Sequence, residues 1–347
     1  MLGLIKYILK TQLKLKPSKL PQQSSGFTLI ELLVGVILTF LVITPLLGFM
    51  VNIMDTDRKE QAKANSQQEI QSALDYIAQD LKQAIYIYDA NALSRDSDPT
   101  APVLPDGTIA SGIRDQIPPV APARDCDAPE KCAPVLVFWK RRFVPEIFPN
   151  AASTNDASTN DDRFVYSLVA YYLIKDDTAS PPWSKTARIA RFEIKDQVPN
   201  PDDVNNPYLR VDPGFKAFAL SGAGTLEQKM NRWQKGTDPF DTQAIVLIDY
   251  VDQNTQGTPP LTNLNCQVAL GNTSRDNTQL LVSPEAQLGG INSFYACVDS
   301  SKNLARIYLR GNALARIKKN DNYATNPSAY FPSANVLVQT RGFLNAD

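Results

Sequence analysis

Residues 27–54 are apolar apart from a single formal charge, Glu31, and charge resumes only at Asp55. About 20 apolar residues cross a bilayer as a helix, so this run predicts a membrane-spanning segment. Beyond it the pattern continues in another form. Ile70, Leu74, Ile77, Leu81 and then Ile85 or Tyr88 recur at three- and four-residue steps, the stripe of a helix laid on a core. Asp57, Arg58, Lys59, Glu60, Lys63 and Glu69 make the stretch before the stripe polar. One helix over 27–88 is therefore expected, about 90 Å long at ~1.5 Å per residue. Gly35, Pro45 and Gly48 are expected to loosen its apolar half.

Residues 89–133 are rich in Pro, Asp, Ala and Gly and read as loop. Strand patterns follow at 135–144, 164–174 and 187–195, with further ones at 244–251, 291–298, 304–309 and 335–340. The connection holding Pro181, Pro182 and Trp183 suits a long hairpin between the second and third. Residues 150–162, which repeat Ala-Ser-Thr-Asn-Asp, and the Pro/Asp/Asn-rich 200–206 read as surface excursions. The fold class that results is α+β: a long N-terminal transmembrane and amphipathic helix packed on a mostly antiparallel β-sheet head. Four regions follow: a basic leader at 1–26, the apolar half of the helix at 27–54, its amphipathic half at 55–90 and a head at 91–347.

Charge orients this arrangement. Lys6, Lys10, Lys14, Lys16 and Lys19 precede the apolar run and no acid does. Such a flank stays cytoplasmic and places the bulk of the chain on the other side. An ordinary signal peptide carries its apolar core before its cut, so signal peptidase finds no site in the leader. The leader itself reads equally as an amphipathic helix on anionic lipid or as a solvated tail. Histidine is absent, which removes the commonest general base and metal ligand. The near-neutral balance, −1 overall, gives no nucleic-acid-binding signature, and no P-loop, dinucleotide fingerprint or nucleophile elbow occurs. No catalytic residue is assigned.

The four cysteines, Cys126, Cys132, Cys266 and Cys297, permit three disulfide pairings in an exported domain. The local one, Cys126–Cys132 and Cys266–Cys297, is expected. Their spacings do not suit a zinc knuckle. Acid pairs that turn up in loops, Asp96/Asp98, Asp161/Asp162, Asp202/Asp203 and Asp249/Asp252 with Asn254, offer oxygen ligands of the kind calcium takes, but none follows an EF-hand spacing. Near the C-terminus Arg306, Arg310, Arg316, Lys318, Lys319 and Arg341 interleave with Tyr308, Tyr323, Tyr330 and Phe331. That concentration reads either as a surface for an anionic polysaccharide or as the charged outer face of edge strands.

Gly26-Phe27-Thr28-Leu29-Ile30-Glu31 resembles the processing site of type IV pilins and pseudopilins. The resemblance implies that prepilin peptidase cuts between Gly26 and Phe27 and that Phe27 becomes the N-methylated terminus. It also implies that Glu31 pairs with that amine on a neighbouring subunit. The physics agrees: a cationic amine and a carboxylate held in an apolar filament each need an opposite charge. Pro45 stands three residues before the helix-bending proline of many members. Residues 74–84 look like the corresponding helix of larger minor pseudopilins. Residues 304–317 and 331–344 are similar to the larger cyanobacterial pseudopilin family of hormogonium polysaccharide secretion. Together these imply a minor pseudopilin, working by assembly and not as an enzyme, in an apparatus that exports polysaccharide for gliding motility. The implied partners are prepilin peptidase, other pilin-like subunits and an inner-membrane assembly platform. The implied location is the inner membrane, with the head extracytoplasmic, and then a pseudopilus. Some pseudopilins bind structural calcium, so calcium is the one cofactor the resemblance allows, at no located site. Two rivals stand beside this reading. One is a minor subunit of a true type IV pilus, for twitching, adhesion or DNA uptake. The other is a membrane-tethered enzyme acting on polysaccharide, which would need two carboxylates facing each other across a cleft.

Overall fold

A computed structural model describes residues 26–118, 126, 128, 130–148, 161–175, 182–196, 211–221, 223–258, 261, 264–317 and 328–341. The leader lysines, the Ala-Ser-Thr-Asn-Asp repeat through 160, residues 200–206 and Lys318, Lys319 and Tyr323 lie outside these. The chain divides into two units, 1–56 and 57–347. A single helix, α1 (Leu29–Lys82), passes through both and runs unbroken across Gly35, Pro45 and Gly48. In the first unit no side chain of residues 29–54 is buried, and the helix is long and apolar enough to cross a membrane.

In the second unit α1 turns amphipathic. Ala62, Ser66, Ile70, Ala73, Leu74, Ile77, Ala78 and Leu81 are buried at the spacing the pattern predicts. The helix ends at Lys82, six residues short of the expectation. Ala84–Ile87 instead form an edge strand, β1, antiparallel to β2 (Cys132–Phe148). Ile85 and Tyr88 therefore belong to the sheet layer and its exit, not to the helical stripe. The β-branched and aromatic run Ile85-Tyr86-Ile87 is a good strand sequence, and the helix end has partners. Lys82 O accepts from Arg341 N at 3.1 Å and Gln83 O from Arg141 N at 3.3 Å, which satisfies carbonyls that a helix terminus leaves open.

Five strands make the first sheet, in the order β1-β2-β3-β4-β5, with β3 at Asp161–Ile174, β4 at Ala187–Lys195 and β5 at Ile245–Val251. All neighbours are antiparallel. Both faces of its centre are buried, which is why Val135-Leu136-Val137-Phe138-Trp139 does not alternate. One face meets α1. On the other, Trp139 packs edge-on against Phe215, Phe218 and Trp233, at 5.8, 5.0 and 5.2 Å between ring centres. The second sheet is β6-β7-β8-β9: Leu281–Val282, Phe294–Asp299, Leu304–Arg310 and Ser333–Gln339. The run 89–133 is more structured than its composition predicts. It holds a short helix, α2 (Ala90–Ser94), capped by Asp89, and buries Ala101, Ile109, Ile113 and Ile117. Three further short helices, α3 (Leu226–Met230), α4 (Cys266–Leu270) and α5 (Asn277–Leu280), have no strong periodic signal in the sequence.

Three contacts hold α1 in the second unit. Gly311 lies against it so closely that a Cβ there would meet Ile70 Cδ1 at 2.6 Å, and Arg316 pairs with Glu69. Toward the C-terminal end of α1, the buried Asp80 receives Lys140 Nζ at 2.7 Å, Tyr171 OH at 2.8 Å and Arg191 Nε at 2.8 Å. Arg191 Nη1 also donates to Glu193 at 2.8 Å, and Lys140 stands 3.4 Å from the same carboxylate. Burial by itself raises the Glu193 carboxyl, but Arg191, Lys140 and Lys195 outweigh it and hold it at about 2.

The buried stripe predicts that Leu81→Asp, which puts an unpaired charge at a fully buried position, lowers stability by several kcal/mol. A thermal melt like that of the wild type would show the stripe to be unpacked. The Glu193 pKa lies below its unfolded value of about 4.3. Its stabilisation is therefore complete above about pH 5 and is lost as pH falls toward 2, by about 2 to 3 kcal/mol. Urea midpoints across that range should fall less steeply for Glu193→Gln, which starts from a lower stability at neutral pH.

Candidate functional site

The helix begins where the recognised hexapeptide lies. Gly26 to Thr28 are non-helical, and Thr28 caps α1. Its carbonyl accepts from Leu32 N at 3.2 Å. Its Oγ1 accepts from Glu31 N at 3.4 Å, while its own N and Oγ1 donate to Glu31 Oε2 at 3.1 and 3.0 Å. This reciprocal arrangement is a capping box, Thr-x-x-Glu, and the acid also faces the positive end of the helix dipole. The pattern is present in the sequence and is a second, purely local reason for a carboxylate at position 31. Phe27 is 85% exposed. Glu31 borders a notch of about 580 Å³ on the helix surface, formed over Gly35 and flanked by Phe27, Thr39 and Phe40. Thr39 Oγ1 donates to Gly35 O at 2.7 Å, so its hydroxyl is satisfied without water. Small residues four apart let a second helix approach closely in an apolar medium. Chemically the arrangement offers one acid, two threonine hydroxyls engaged in local hydrogen bonds and an exposed apolar surface.

Both disulfides follow the local pairing, with Cα–Cα distances of 5.3 Å for Cys126–Cys132 and 5.4 Å for Cys266–Cys297. The first closes against the start of β2. The second joins α4 to β7 and, with Leu270 and Leu280, forms a small core of its own.

Among the described residues, the C-terminal cations do not all face outward. Arg310 is buried, with Nε donating to Asp252 at 2.8 Å and Nη2 to Asn292 Oδ1 at 2.8 Å. Arg316 is held by Glu69 and lies over the Tyr250 ring at 4.1 Å. Nor is β8, which carries Arg306 and Arg310, an edge strand, because β7 and β9 flank it. Two members of the group are thus internal counter-ions rather than a polyanion surface.

The acid pairs have similar duties. Asp96 pairs with Arg114, Asp98 binds Thr100, Asp249 accepts from Ser184, and Asp252 is the partner of Arg310. Asp202 and Asp203 lie outside the described residues, as do the side chains of Asp161 and Asp162. Among the described residues no three His, Cys, Asp or Glu side chains come together as a metal site. One cleft, of about 400 Å³, is lined by two acids, Asp106 and Glu227. Glu227 is bound to Arg275 at 2.7 Å, which also holds the buried Asp89 at 2.7 Å. Burial, with the Asp89 charge second, raises the Glu227 carboxyl in spite of Arg275. Asp106 accepts from Thr108 at 2.7 Å.

The chain has no match among family models, curated proteins or solved structures.

The Arg310–Asp252 pair predicts that Arg310→Met strands a buried carboxylate and costs about 3 to 5 kcal/mol. Asp252→Asn combined with it should recover part of the loss in a double-mutant denaturation cycle. A fully folded, undestabilised Arg310→Met protein would return Arg310 to the list of available surface cations.

Proposed function

We propose that this chain is a minor pseudopilin, a membrane-stored structural subunit. Prepilin peptidase processes it between Gly26 and Phe27, and it then joins a short filament of pilin-like subunits on an inner-membrane platform. The observation that carries the reading is the position of Glu31. It is the one charge in the apolar run, four residues beyond Phe27, beside the small residues Gly35 and Thr39 on the exposed helix. The exposed apolar surface of residues 29–54 supports it, because such a surface requires lipid or other helices around it. The α+β arrangement of the second unit, in which α1 packs on antiparallel strands, is compatible with a pilin-like head. Two disulfides suit an oxidising, extracytoplasmic compartment. In this function the apolar helix supplies packing, Glu31 supplies register through the amine of an adjacent Phe27, and the second unit supplies partner choice. The C-terminal resemblances favour export of polysaccharide as the process served.

Two measurements test this. Mass analysis of the native protein should find a mature N-terminus at Phe27 carrying a methyl group, leaving 321 of the 347 residues. An intact leader, or a cut beyond residue 40, overturns the reading. Glu31→Ala should still insert and be cut, yet co-purify poorly with other pilin-like subunits and fail to restore export in a null strain. Removing the acid leaves a cationic amine unpaired among apolar helices. Because Glu31 also caps α1, its loss should additionally fray the first turn, worth about 1 kcal/mol. Glu31→Gln preserves much of the cap, so it separates the two effects: a charge pair requires that Gln fail in assembly as Ala does.

A further inference from the structure

We infer that the second unit binds an uncharged sugar chain in a cleft of about 790 Å³ between α1 and the β6–β9 sheet. The volume falls within the range of about 300–1,000 Å³ usual for small-ligand sites. Three observations point to this ligand class. First, amides from two elements line the cleft: Gln67 and Gln71, one turn apart on α1, and Asn335 on β9. An amide both donates and accepts, as each sugar hydroxyl does. Second, Tyr295 and Tyr308 stand directly opposite each other across β7 and β8. Their rings are parallel within 13° at 4.8 Å and partly exposed. Such a pair offers apolar ring surface beside phenolic hydroxyls, the combination that suits the C–H faces and hydroxyl edges of a sugar.

The third observation carries most weight. Ser293 lines the cleft and is fully buried, and its Oγ has no hydrogen-bond partner among the described residues. Buried hydroxyls in native proteins are nearly always paired, since leaving one unmade costs free energy. Ser293 Oγ is closed to water in the empty cleft, so a ligand hydroxyl completes it once a side-chain rotation in the cleft wall opens the way. Charge then selects the ligand. Among the described residues that line the cleft, Arg310 is the one ionic side chain, and Asp252 neutralises it at 2.8 Å. An acidic sugar would be desolvated there with no counter-charge, whereas a neutral one loses nothing. The site takes Tyr308, Arg310 and Phe331 from the C-terminal concentration, but its one cation there is already neutralised, and it depends on the fold of the second unit, not on processing at Gly26.

The test uses the full chain purified in a zwitterionic detergent that lacks a sugar headgroup. Cellohexaose, xylohexaose, maltohexaose and polygalacturonate are the probes, measured by saturation-transfer NMR and calorimetry. At least one neutral hexaose should bind saturably, and polygalacturonate should not. Ser293→Ala should melt at or above the wild-type temperature, because it removes an unpaired buried hydroxyl, and yet weaken binding about tenfold. Asn335→Ala, at an exposed position, should weaken binding without changing the melt. The inference is overturned if none of the three hexaoses binds, if polygalacturonate alone binds, or if both variants bind as the wild type does. A subunit that is processed at Gly26 but binds no sugar would leave the pseudopilin reading standing and remove only this one.

Discussion

A carboxylate taken out of water between a helix and a sheet has to be matched on every side, and Asp80 is matched from three strands at once. Lys140 comes from β2, Tyr171 from β3 and Arg191 from β4. The desolvation of such groups costs several kcal/mol each and is recovered only in good geometry. Turning α1 by one residue, about 100°, would carry Asp80 away from all three donors and leave buried charges unpaired. The rotation and height of the helix are therefore fixed far more narrowly than apolar packing alone would require. Leu74, Ile77 and Leu81 are at their depth because Asp80 is at its station. Glu193 extends the same logic, balancing the two cations so that the cluster carries little net charge.

The other end of the packed stretch is held differently. Near Ile70 the contact is steric, with Gly311 clearing space for the helix and Arg316 closing over Glu69. A helix held by polar specificity at one end and close approach at the other presents a constant apolar stripe between them. Its continuation through residues 29–54 has no such partners among the described residues. One helix thus serves two environments, and the change from one to the other follows the change of hydrophobic pattern near Asp55.

Much of this was legible in the sequence where a local pattern carried it. The stripe from Ile70 to Leu81 and the strand at Ala187–Lys195 were readable from periodicity, whereas the cysteine spacing left three pairings open, of which the expected local one is formed. The helix end was not. Ile85 and Tyr88 continue the three-four spacing, and only pairing with β2, some 50 residues on, makes Ala84–Ile87 a strand. The Asp80 cluster was illegible for the same reason: its donors lie 60, 91 and 111 residues away. Arg310 reads as surface charge until Asp252 is placed beside it. The capping box at Thr28 and Glu31 was different, since Thr-x-x-Glu before an apolar run is a local signal. The family resemblance supplied one reason for the acid, and the helix supplies another. Ser293 has no sequence signal at all, because its lack of a partner is a property of the packed surroundings.

The contacts that complete α1 come from the far end of the chain. Gly311, Arg316 and the Arg341 amide meet residues 69–82, the Arg316–Glu69 pair across 247 positions. During synthesis the helix emerges first and these partners last. Until then the first sheet can receive Leu74, Ile77 and Leu81, but the Ile70 end of the stripe lacks its closing contacts, and long-range pairings of this kind close slowly. The second unit can be finished only after nearly the whole polypeptide has been delivered. Its completion is a chronological event, and a chain truncated before residue 311 would keep its strand sequences but lack the parts that fasten its first helix.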